Sequence, residues 1–195
     1  IVSAKFLNDL MRVFKISSSD LNNTPFIEFI CNFQKPIILS TGASTSKEIE
    51  NSVKLIEMYG CEVAILHCVL SYPTKLADAN LGIISYLKKK FPKNIIGYSD
   101  HTAPNIDVLT TAYLLGAQII EKHFTFNKLL PGNDHYHSMD KSDLIKLKKK
   151  LIKIKKIIGE NKRVILPAEE MSRLNARRSI VANKKIKKNQ VITIN

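Results

Sequence analysis

The sequence predicts an α/β fold that consists of the later strands of a (β/α)8 barrel. Five short runs rich in aliphatic residues recur along the chain, and an amphipathic stretch of helical period follows each of them. Polar or reactive residues stand at the end of every run. A (β/α)8 barrel collects functional residues from nearly every strand end at one face, whereas a doubly wound sheet concentrates them at one switch point. No glycine-rich phosphate-binding fingerprint follows any run, so the barrel is favoured.

The predicted strands follow one another at the spacing of βα units. They cover residues 13–16, 36–40, 62–67, 94–98 and 117–123. Consecutive units of this kind form a parallel sheet, because each helix returns the chain to the same end of the sheet. Five units cannot close a barrel of eight strands, so we expect the first three strands to precede residue 1. The chain is therefore expected to be a piece of a longer protein.

The helices between the strands carry recognisable start and stop signals. Thr24 followed by Pro25 predicts an N-cap with proline in the first turn, and Thr45 with Glu48 predicts a capping box. Glycine favours the left-handed conformation in which helices commonly end. On this basis three helices are expected to end at Gly60, Gly116 and Gly159. The last barrel helix is predicted over residues 140–158.

The composition changes after this last helix and indicates a second domain. We predict that residues 1–160 form the C-terminal part of a barrel and that 161–176 form a linker. Residues 177–195 contain two short apolar runs, 179–182 and 191–194, separated by a lysine-rich stretch. Such runs are typical of strands. The segment 177–195 is therefore predicted to begin a small β-rich domain.

The net charge of +13 does not by itself indicate a nucleic-acid partner. The chain has 30 Lys and Arg against 17 Asp and Glu, but many of the lysines are spread along predicted helices, at 88–90 and 148–156, with few aromatic residues between them. Proteins that bind nucleic acid combine clustered positive charge with a recognisable motif or aromatic platforms. We therefore expect solvated helix faces and no nucleic-acid partner.

Cysteine usage and hydropathy exclude two further classes. Cys31, Cys61 and Cys68 are odd in number, lack C-x-x-C spacing and lie in apolar segments. This pattern indicates buried thiols in a reducing compartment rather than disulfides. No segment is long and apolar enough to predict a membrane span. The sequence therefore predicts a cytoplasmic protein without a membrane partner.

Two histidines at the ends of consecutive predicted strands are the main candidates for chemistry. His101 follows Asp100 after the run 94–98, and His123 lies two residues after Glu121. The carboxyl ends of parallel strands meet at one edge, so both imidazoles are expected there. Neutral imidazole is a good metal ligand, and a neighbouring carboxylate can orient it. We predict an open metal site at His101 and His123, where Glu121 could support a metal-bound water.

Structural rather than catalytic roles are expected for several other polar residues near the strand ends. His67 is expected to be a hydrogen-bonding residue of the core or of a pocket wall. His135 and His137 lie in a polar loop and are expected at the surface or rim rather than on a metal. Lys122 alternates away from the side that carries Glu121, so packing or a salt bridge is expected for it.

Seven sequence strings occur in an order that resembles one family. They are KIS at Lys15, KPIILSTGAS at Lys35, LHCVLSYPT at Leu66, GYSDHT at Gly97, EKHFT at Glu121, LPGNDHYHSM at Leu130 and RRSIVA at Arg177. With these motifs the chain resembles the bacterial N-acetylneuraminate (sialic acid) synthases, a family that includes legionaminate and pseudaminate synthases and spore-coat polysaccharide proteins. The resemblance covers essentially the whole chain. It implies a TIM barrel followed by a SAF (antifreeze-like) domain, of which only the start is present.

The resemblance implies a condensation reaction. Members of this family join phosphoenolpyruvate to the open aldehyde form of an N-acetylated aminohexose, giving a nonulosonic acid and phosphate. The acceptor is expected to be N-acetylmannosamine or a 2,4-diacetamido-trideoxyhexose. A divalent metal on His101 and His123 would polarise the aldehyde oxygen as a Lewis acid. Mn²⁺ is the expected ion, with Mg²⁺ or Co²⁺ as alternatives.

The resemblance also assigns roles to single residues. The residues that match the family's phosphoenolpyruvate ligands are Lys15, Ser18, Ser40 and Ser99. Asp20 matches an acidic residue near the reacting centre. Asp134 matches a residue that accepts hydrogen bonds from sugar hydroxyls, and Tyr72 lies on a loop that touches the sugar. Leu70 departs from the polar residue of sialic-acid-forming members, and a leucine fits a more deoxygenated or acylated sugar.

Two other functions are compatible with these residues. A Schiff-base aldolase would use Lys15 as its nucleophile and would need no metal. A non-catalytic glycan-binding or assembly protein could be built on a decayed barrel, although retention of both histidines with Lys15, Ser40 and Ser99 argues against decay. Within the family the SAF domain of one subunit covers the neighbour's active site, so the resemblance implies a domain-swapped homodimer for the full-length protein.

Overall fold

The computed structural model describes residues 1–192. Its central element is a curled parallel sheet of five strands. The strands are β1 (Phe14–Ile16), β2 (Ile37–Ser40), β3 (Val63–Cys68), β4 (Ile95–Asp100) and β5 (Ile119–Lys122). Each strand pairs in parallel with the next one along the chain, so the spatial order equals the sequence order. The five predicted runs are confirmed, and their observed ends differ from the predicted ends by no more than two residues.

The two edge strands approach each other across the concave face of the sheet. Lys15 Nζ on β1 lies 3.5 Å from Glu121 Oε2 on β5. In a flat sheet four strand spacings would separate β1 from β5 by about 19 Å. The sheet is therefore curled like part of a cylinder, and its strand order shows no reversal. A partial (β/α) barrel has these properties, whereas a doubly wound sheet reverses its strand order.

Helices follow the strands as the sequence predicts. In the described residues they are α1 (Val2–Asn8), α2 (Thr24–Cys31), α3 (Ser46–Met58), α4 (Gly82–Lys90), α5 (Ile106–Leu114), α6 (Lys141–Ile158) and α7 (Glu170–Ala176). The capping box before α3 is present, because Thr45 Oγ1 accepts the N–H of Glu48 and the Glu48 carboxylate accepts the N–H of Thr45. The prediction for α2 was wrong by one residue. Asn23 is the N-cap, and its side-chain oxygen accepts the N–H of Phe26.

The predicted glycine stops are confirmed. Positive φ angles of 77°, 98° and 64° occur at Gly60, Gly116 and Gly159, which follow α3, α5 and α6. In this region of backbone space a side chain with a Cβ is strained, so glycine ends these helices at the smallest conformational cost.

An apolar layer between the strands and the helices forms the core. Ile16, Leu39 and Ile65 point away from the concave face and are almost completely buried. The helical residues that belong to the same core include Ile27, Ile30, Val53, Ile56, Ile84 and Leu87. Each fully buried aliphatic side chain contributes about 1.5–3 kcal/mol. The concave side is also tightly packed, since a Cβ at Gly97 would lie 2.6 Å from the carbonyl oxygen of Ile119.

The residues after Lys156 belong to a separate compact unit, Ile157–Asn195. This unit contains α7, which lies within the predicted linker, and an ion pair between Arg163 and Glu169 at 3.6 Å. From 177 to 192 the described chain forms no strand. Part of the predicted run 191–194 lies outside the described residues. The β-rich domain therefore stays a prediction.

The cysteines are buried free thiols, as predicted. Burial, together with the neighbouring Cys61, raises the pKa of Cys31 to about 12, so this thiol stays protonated at neutral pH. Among the helices described between residues 1 and 192, none combines the length and the apolar character needed to cross a bilayer.

Candidate active site

Four of the predicted site residues meet on the concave side, at the carboxyl ends of the strands. Lys15 Nζ donates a hydrogen bond to Ser40 Oγ at 2.8 Å and forms the ion pair with Glu121. Ser99 Oγ donates to the other carboxylate oxygen of Glu121 at 3.0 Å. An ammonium group, two hydroxyl groups and a carboxylate from four different strands therefore form one polar cluster.

A backbone carbonyl orients His101, which directly follows β4. Its Nδ1 lies 2.9 Å from the carbonyl oxygen of Val69. Because a carbonyl can only accept, Nδ1 carries the proton and Nε2 keeps a free lone pair, as a metal ligand requires. Burial is the main factor that lowers the pKa of the His101 ring below its ordinary value. The ring is therefore neutral at neutral pH.

The carboxylate next to His101 in the sequence does not orient it, contrary to expectation. Alternation along β4 turns Asp100 to the other side of the strand. There its carboxylate forms an ion pair of 2.7 Å with Lys122. The same alternation explains the orientation of Lys122, so the salt bridge predicted as one of its two roles is confirmed.

His123 and Tyr72 lie against His101. The ring centroids of the two histidines are 5.2 Å apart, and the Tyr72 ring lies 4.1 Å from that of His101 and 5.9 Å from that of His123. Nδ1 of His123 faces Oδ2 of Asp134 at 4.0 Å. The two imidazoles thus lie at one edge, as predicted, and Tyr72 and Asp134 border them.

A third imidazole, that of His137, lies beside this pair. Its side chain is 0% exposed, and its ring centroid is 5.4 Å from that of His123. Nε2 of His137 lies 3.8 Å from Asp134 Oδ1, and neither ring nitrogen has a hydrogen-bond partner among the described residues. A buried polar group without a partner is costly unless a ligand or water satisfies it. His137 therefore belongs to the lining of the site.

The prediction that His137 lies at the surface or rim was wrong, because the loop returns to the sheet before α6. Met139 N donates to the His123 carbonyl oxygen at 2.9 Å, and Thr125 N donates to the Met139 carbonyl oxygen at 2.8 Å. This pairing draws residue 137 under the loop. His135 remains partly exposed, as predicted, and its Nδ1 contacts Thr125 Oγ1 at 2.8 Å.

Two predicted site residues, Asp20 and Ser18, form hydrogen bonds outside the polar cluster. The Asp20 carboxylate accepts a hydrogen bond from Asn23 Nδ2 at 3.0 Å, in the turn after β1. Buried Ser18 uses its Oγ to accept the N–H of Gly42 at 2.9 Å. A Cβ at residue 42 would lie 2.9 Å from that oxygen, so the close approach needs glycine. Ser18 thereby supports the loop after β2.

Cys68 also belongs to the site, although it was not among the predicted site residues. It is the register partner of Ser99 on the concave side, and its Sγ lies 3.7 Å from His101 Nδ1. Burial raises the pKa of its thiol, so the group is neutral. Strand alternation from Leu66 would have placed it there. His67, one residue earlier, contacts the carbonyl oxygen of Ala79 at 2.9 Å through Nε2, which confirms its predicted hydrogen-bonding role.

The imidazole pair provides suitable donors for a divalent metal. Among the described residues no group of three or more His, Cys, Asp or Glu side chains is already arranged to hold an ion. The 5.2 Å spacing of the His101 and His123 rings nevertheless fits two ligands of one ion, since metal–nitrogen bonds of about 2.1 Å bring ring centres to about 5 Å. The donor set therefore fits an open site that is completed by oxygens from substrate or water.

Acid should destabilise the fold through its buried histidines. Burial lowers the pKa of His67, His101 and His137 below the ordinary histidine value of 6.5. As the pH falls, these imidazoles are protonated in the unfolded chain before they are protonated in the folded protein, so unfolding takes up protons. The free energy of unfolding is therefore highest above pH about 6.5 and decreases as the pH falls through that value. We expect chemical denaturation of the complete gene product to give a smaller free energy of unfolding at pH about 5.5 than at about 7.5. A His67→Gln variant should show a smaller decrease, and an increase in acid would contradict the interpretation.

The fold and the cluster define a class of protein, a partial (β/α) barrel with an imidazole pair beside a cluster of ammonium, hydroxyl and carboxylate groups at the carboxyl ends of its strands. The model of the NeuB family matches residues 1–163. The chain therefore belongs to the NeuB family, and the resemblance to sialic acid synthases is confirmed.

Individual relatives agree with this family. Protein MJ1065 of Methanocaldococcus jannaschii is 41% identical over 187 residues, which cover 93% of this chain and 53% of that protein. The N,N'-diacetyllegionaminic acid synthase of Campylobacter jejuni is 35% identical over an alignment of 195 residues. This alignment covers 98% of this chain and 58% of the synthase. The sialic acid synthetase of Leptospira borgpetersenii, solved with citrate, has a TM-score of 0.77 at 35% identity and covers 86% of this chain and 60% of its own. The chain thus spans little more than half the length of these proteins.

Proposed function

We propose that the protein containing this chain condenses phosphoenolpyruvate with an N-acetylated aminohexose, giving a nonulosonic acid and phosphate for surface glycans. The observation that carries this proposal is the arrangement at the carboxyl ends of the strands. There the His101 and His123 pair adjoins the cluster of Lys15 and Glu121, and the Cys68 thiol lies between the two groups. The names of the relatives as legionaminic acid and sialic acid synthases support the same reaction class.

Phosphoenolpyruvate carries a phosphate and a carboxylate, so its pocket needs positive charge and fixed donors. Lys15 supplies the charge from one edge strand. Ser40 and Ser99 supply hydroxyl groups that can exchange their present partners, Lys15 and Glu121, for substrate oxygens. Ser18 supports this pocket through the loop that begins after β2.

His101 and His123 would hold the divalent metal, for which we propose Mn²⁺, with Mg²⁺ or Co²⁺ as alternatives. When bound, the metal supplies Lewis-acid polarisation of the sugar aldehyde. The protein contributes orientation, because the Val69 carbonyl fixes the tautomer of His101 and leaves Nε2 free. The Tyr72 ring packs 4.1 Å from the His101 ring and would limit the access of water to it.

Carbon 3 of phosphoenolpyruvate forms the new bond to the aldehyde carbon, and water adds at carbon 2. Phosphate then leaves with the bridging oxygen as the bond between carbon 2 and that oxygen breaks. Glu121, held by Lys15 and Ser99, would accept the proton of the water. With phosphoenolpyruvate labelled by ¹⁸O at the bridging position, the released phosphate should carry the label. Label retained in the organic acid would contradict this route.

The sugar would lie on the side of Asp134, Tyr72 and Leu70. Asp134 is exposed on the loop after β5 and can accept hydrogen bonds from hydroxyl groups, whereas Leu70 presents an exposed apolar surface. This combination accommodates a deoxygenated, acylated sugar. Comparing kcat/KM for N-acetylmannosamine and for a 2,4-diacetamido-trideoxyhexose decides between the two acceptors.

A Schiff-base aldolase is the competing enzyme class, because Lys15 is a partly exposed lysine inside the site. Lys15 donates a hydrogen bond to Ser40 and pairs with the Glu121 carboxylate, and these contacts support a substrate-binding role rather than a nucleophilic one. We therefore expect borohydride with substrate to leave Lys15 unmodified, as measured by mass spectrometry of its tryptic peptide. A substrate adduct on Lys15 would instead establish the aldolase.

The remaining features of the complete protein are also proposals. We propose that the complete protein has a barrel of eight strands, a SAF domain that follows it, a domain-swapped homodimer and a cytoplasmic location, as the resemblance to the sialic acid synthases implies. Sedimentation of the complete gene product should give a dimer. A monomer with full activity would remove the domain-swapped site from the proposal.

A further inference from the structure

We propose that the buried ion pair of Asp100 and Lys122 positions the two histidines of the candidate metal site. This inference rests on the proposed function. Asp100 and Lys122 are register partners at the ends of β4 and β5. His101 and His123 are the next residues after them. The ion pair therefore joins the two strands at the point where both imidazoles leave the sheet.

Lys122 contacts the chain on both sides of His101. Its Nζ lies 2.7 Å from Asp100 Oδ2, one residue before the histidine, and donates to the Thr102 carbonyl oxygen at 2.5 Å, one residue after it. The side chains of Lys122 and Asp100 are 5% and 0% exposed, so water does not screen the pair. One ammonium group from β5 thus holds the backbone around His101.

The Asp100 carboxylate fixes the same segment from within. Its Oδ1 accepts the Tyr98 hydroxyl at 2.9 Å and the Thr102 N–H at 3.0 Å, and Oδ2 accepts the Thr102 hydroxyl at 3.0 Å. Buried charges remain stable only when their hydrogen-bonding capacity is satisfied in this way. Residues 98–102 therefore fold around one carboxylate, and the backbone of His101 has little freedom to move.

Neither residue of the pair is placed to touch substrate or metal. Strand alternation sends Asp100 and Lys122 to the side of the sheet opposite Ser99 and Glu121. Their influence on the site passes through the backbone, so they are positioning residues. Metal sites tolerate ligand displacements of only about 0.2 Å. A small change in the spacing of β4 and β5 should consequently be visible in metal affinity.

The test uses the complete gene product and measures metal binding directly. Lys122→Met and the paired variant Asp100→Asn/Lys122→Met should bind Mn²⁺ roughly 10- to 100-fold more weakly in calorimetry. The visible absorption spectrum of bound Co²⁺ should change, because it reports the ligand geometry. In turnover kcat should fall as well, because the metal polarises the aldehyde only when both imidazoles are in place.

Ile96→Ala is the matched control. Ile96 is buried near the start of β4, away from the strand end that carries His101. The cavity that alanine leaves there should lower the stability of the fold without changing the positions of His101 and His123. It should keep the wild-type Co²⁺ spectrum and Mn²⁺ affinity. If Lys122→Met does not fold, the paired variant decides the question, because it leaves no unpaired buried charge.

Three outcomes separate the possible failures. Weakened metal binding in a folded charge variant, with the control unchanged, supports the positioning role. A folded charge variant whose Mn²⁺ affinity and Co²⁺ spectrum equal those of Ile96→Ala overturns it and leaves the proposed function intact. If the wild-type protein binds neither Mn²⁺ nor Co²⁺, the proposed metal site and this inference are both wrong.

Discussion

Replacing His101 or His123 by alanine should lower kcat of the complete protein by at least about 1,000-fold, because loss of Lewis-acid polarisation removes several kcal/mol of transition-state stabilisation. Both variants should also lose bound metal, measured by elemental analysis after gel filtration. The fold should persist, because the apolar layer between strands and helices does not include these rings.

His67→Gln provides the control for this experiment. His67 is also a buried histidine at a strand end, but its Nε2 binds the Ala79 carbonyl oxygen and its ring stacks on Tyr98 rather than on the histidine pair. This variant should retain metal and turnover. Full activity in both the His101 and His123 variants would remove the metal-site argument.

Replacing Lys15 by methionine should raise the KM for phosphoenolpyruvate roughly 10- to 100-fold, since a hydrogen bond to a charged group contributes about 1.5–3 kcal/mol. The KM for the sugar should change little, because the proposed sugar contacts lie around Asp134. Steady-state kinetics with each substrate varied in turn measures both constants.

Lys90→Met is the corresponding control for a lost ammonium group. Lys90 is the last residue of α4, forms an ion pair with Glu50 in the first half of α3 and contacts no residue of the site. Its removal should leave both KM values unchanged. A Lys15 variant with an unchanged KM for phosphoenolpyruvate but a raised KM for the sugar would show that the two substrate positions are assigned in the wrong order.

Local features of the fold could be predicted from the sequence because local interactions determine them. The capping box of Thr45 and Glu48 and the glycine at the end of α3 depend on neighbouring residues only. The curl of the sheet is different, because it depends on the approach of Lys15 to Glu121 across more than one hundred residues of chain. Only the distribution of polar residues over all strand ends pointed to that approach.

The errors at the site have two different origins, one local and one long-range. Asp100 was expected to orient its neighbour His101, but alternation separates adjacent residues and the carbonyl of Val69 takes that role. His137 was expected at the surface or rim because its loop is polar. Its burial results from the backbone pairing of Met139 with His123 and Thr125, which a polar loop sequence does not reveal.

Phosphate release from phosphoenolpyruvate by the complete gene product, with Mn²⁺ and a panel of N-acetylated hexoses, tests the central claim most directly. We predict release that requires one of the sugars, stops after chelation and returns when Mn²⁺ is restored. No release with any sugar from a folded protein that retains Mn²⁺ would contradict the proposed condensation and favour a glycan-binding role.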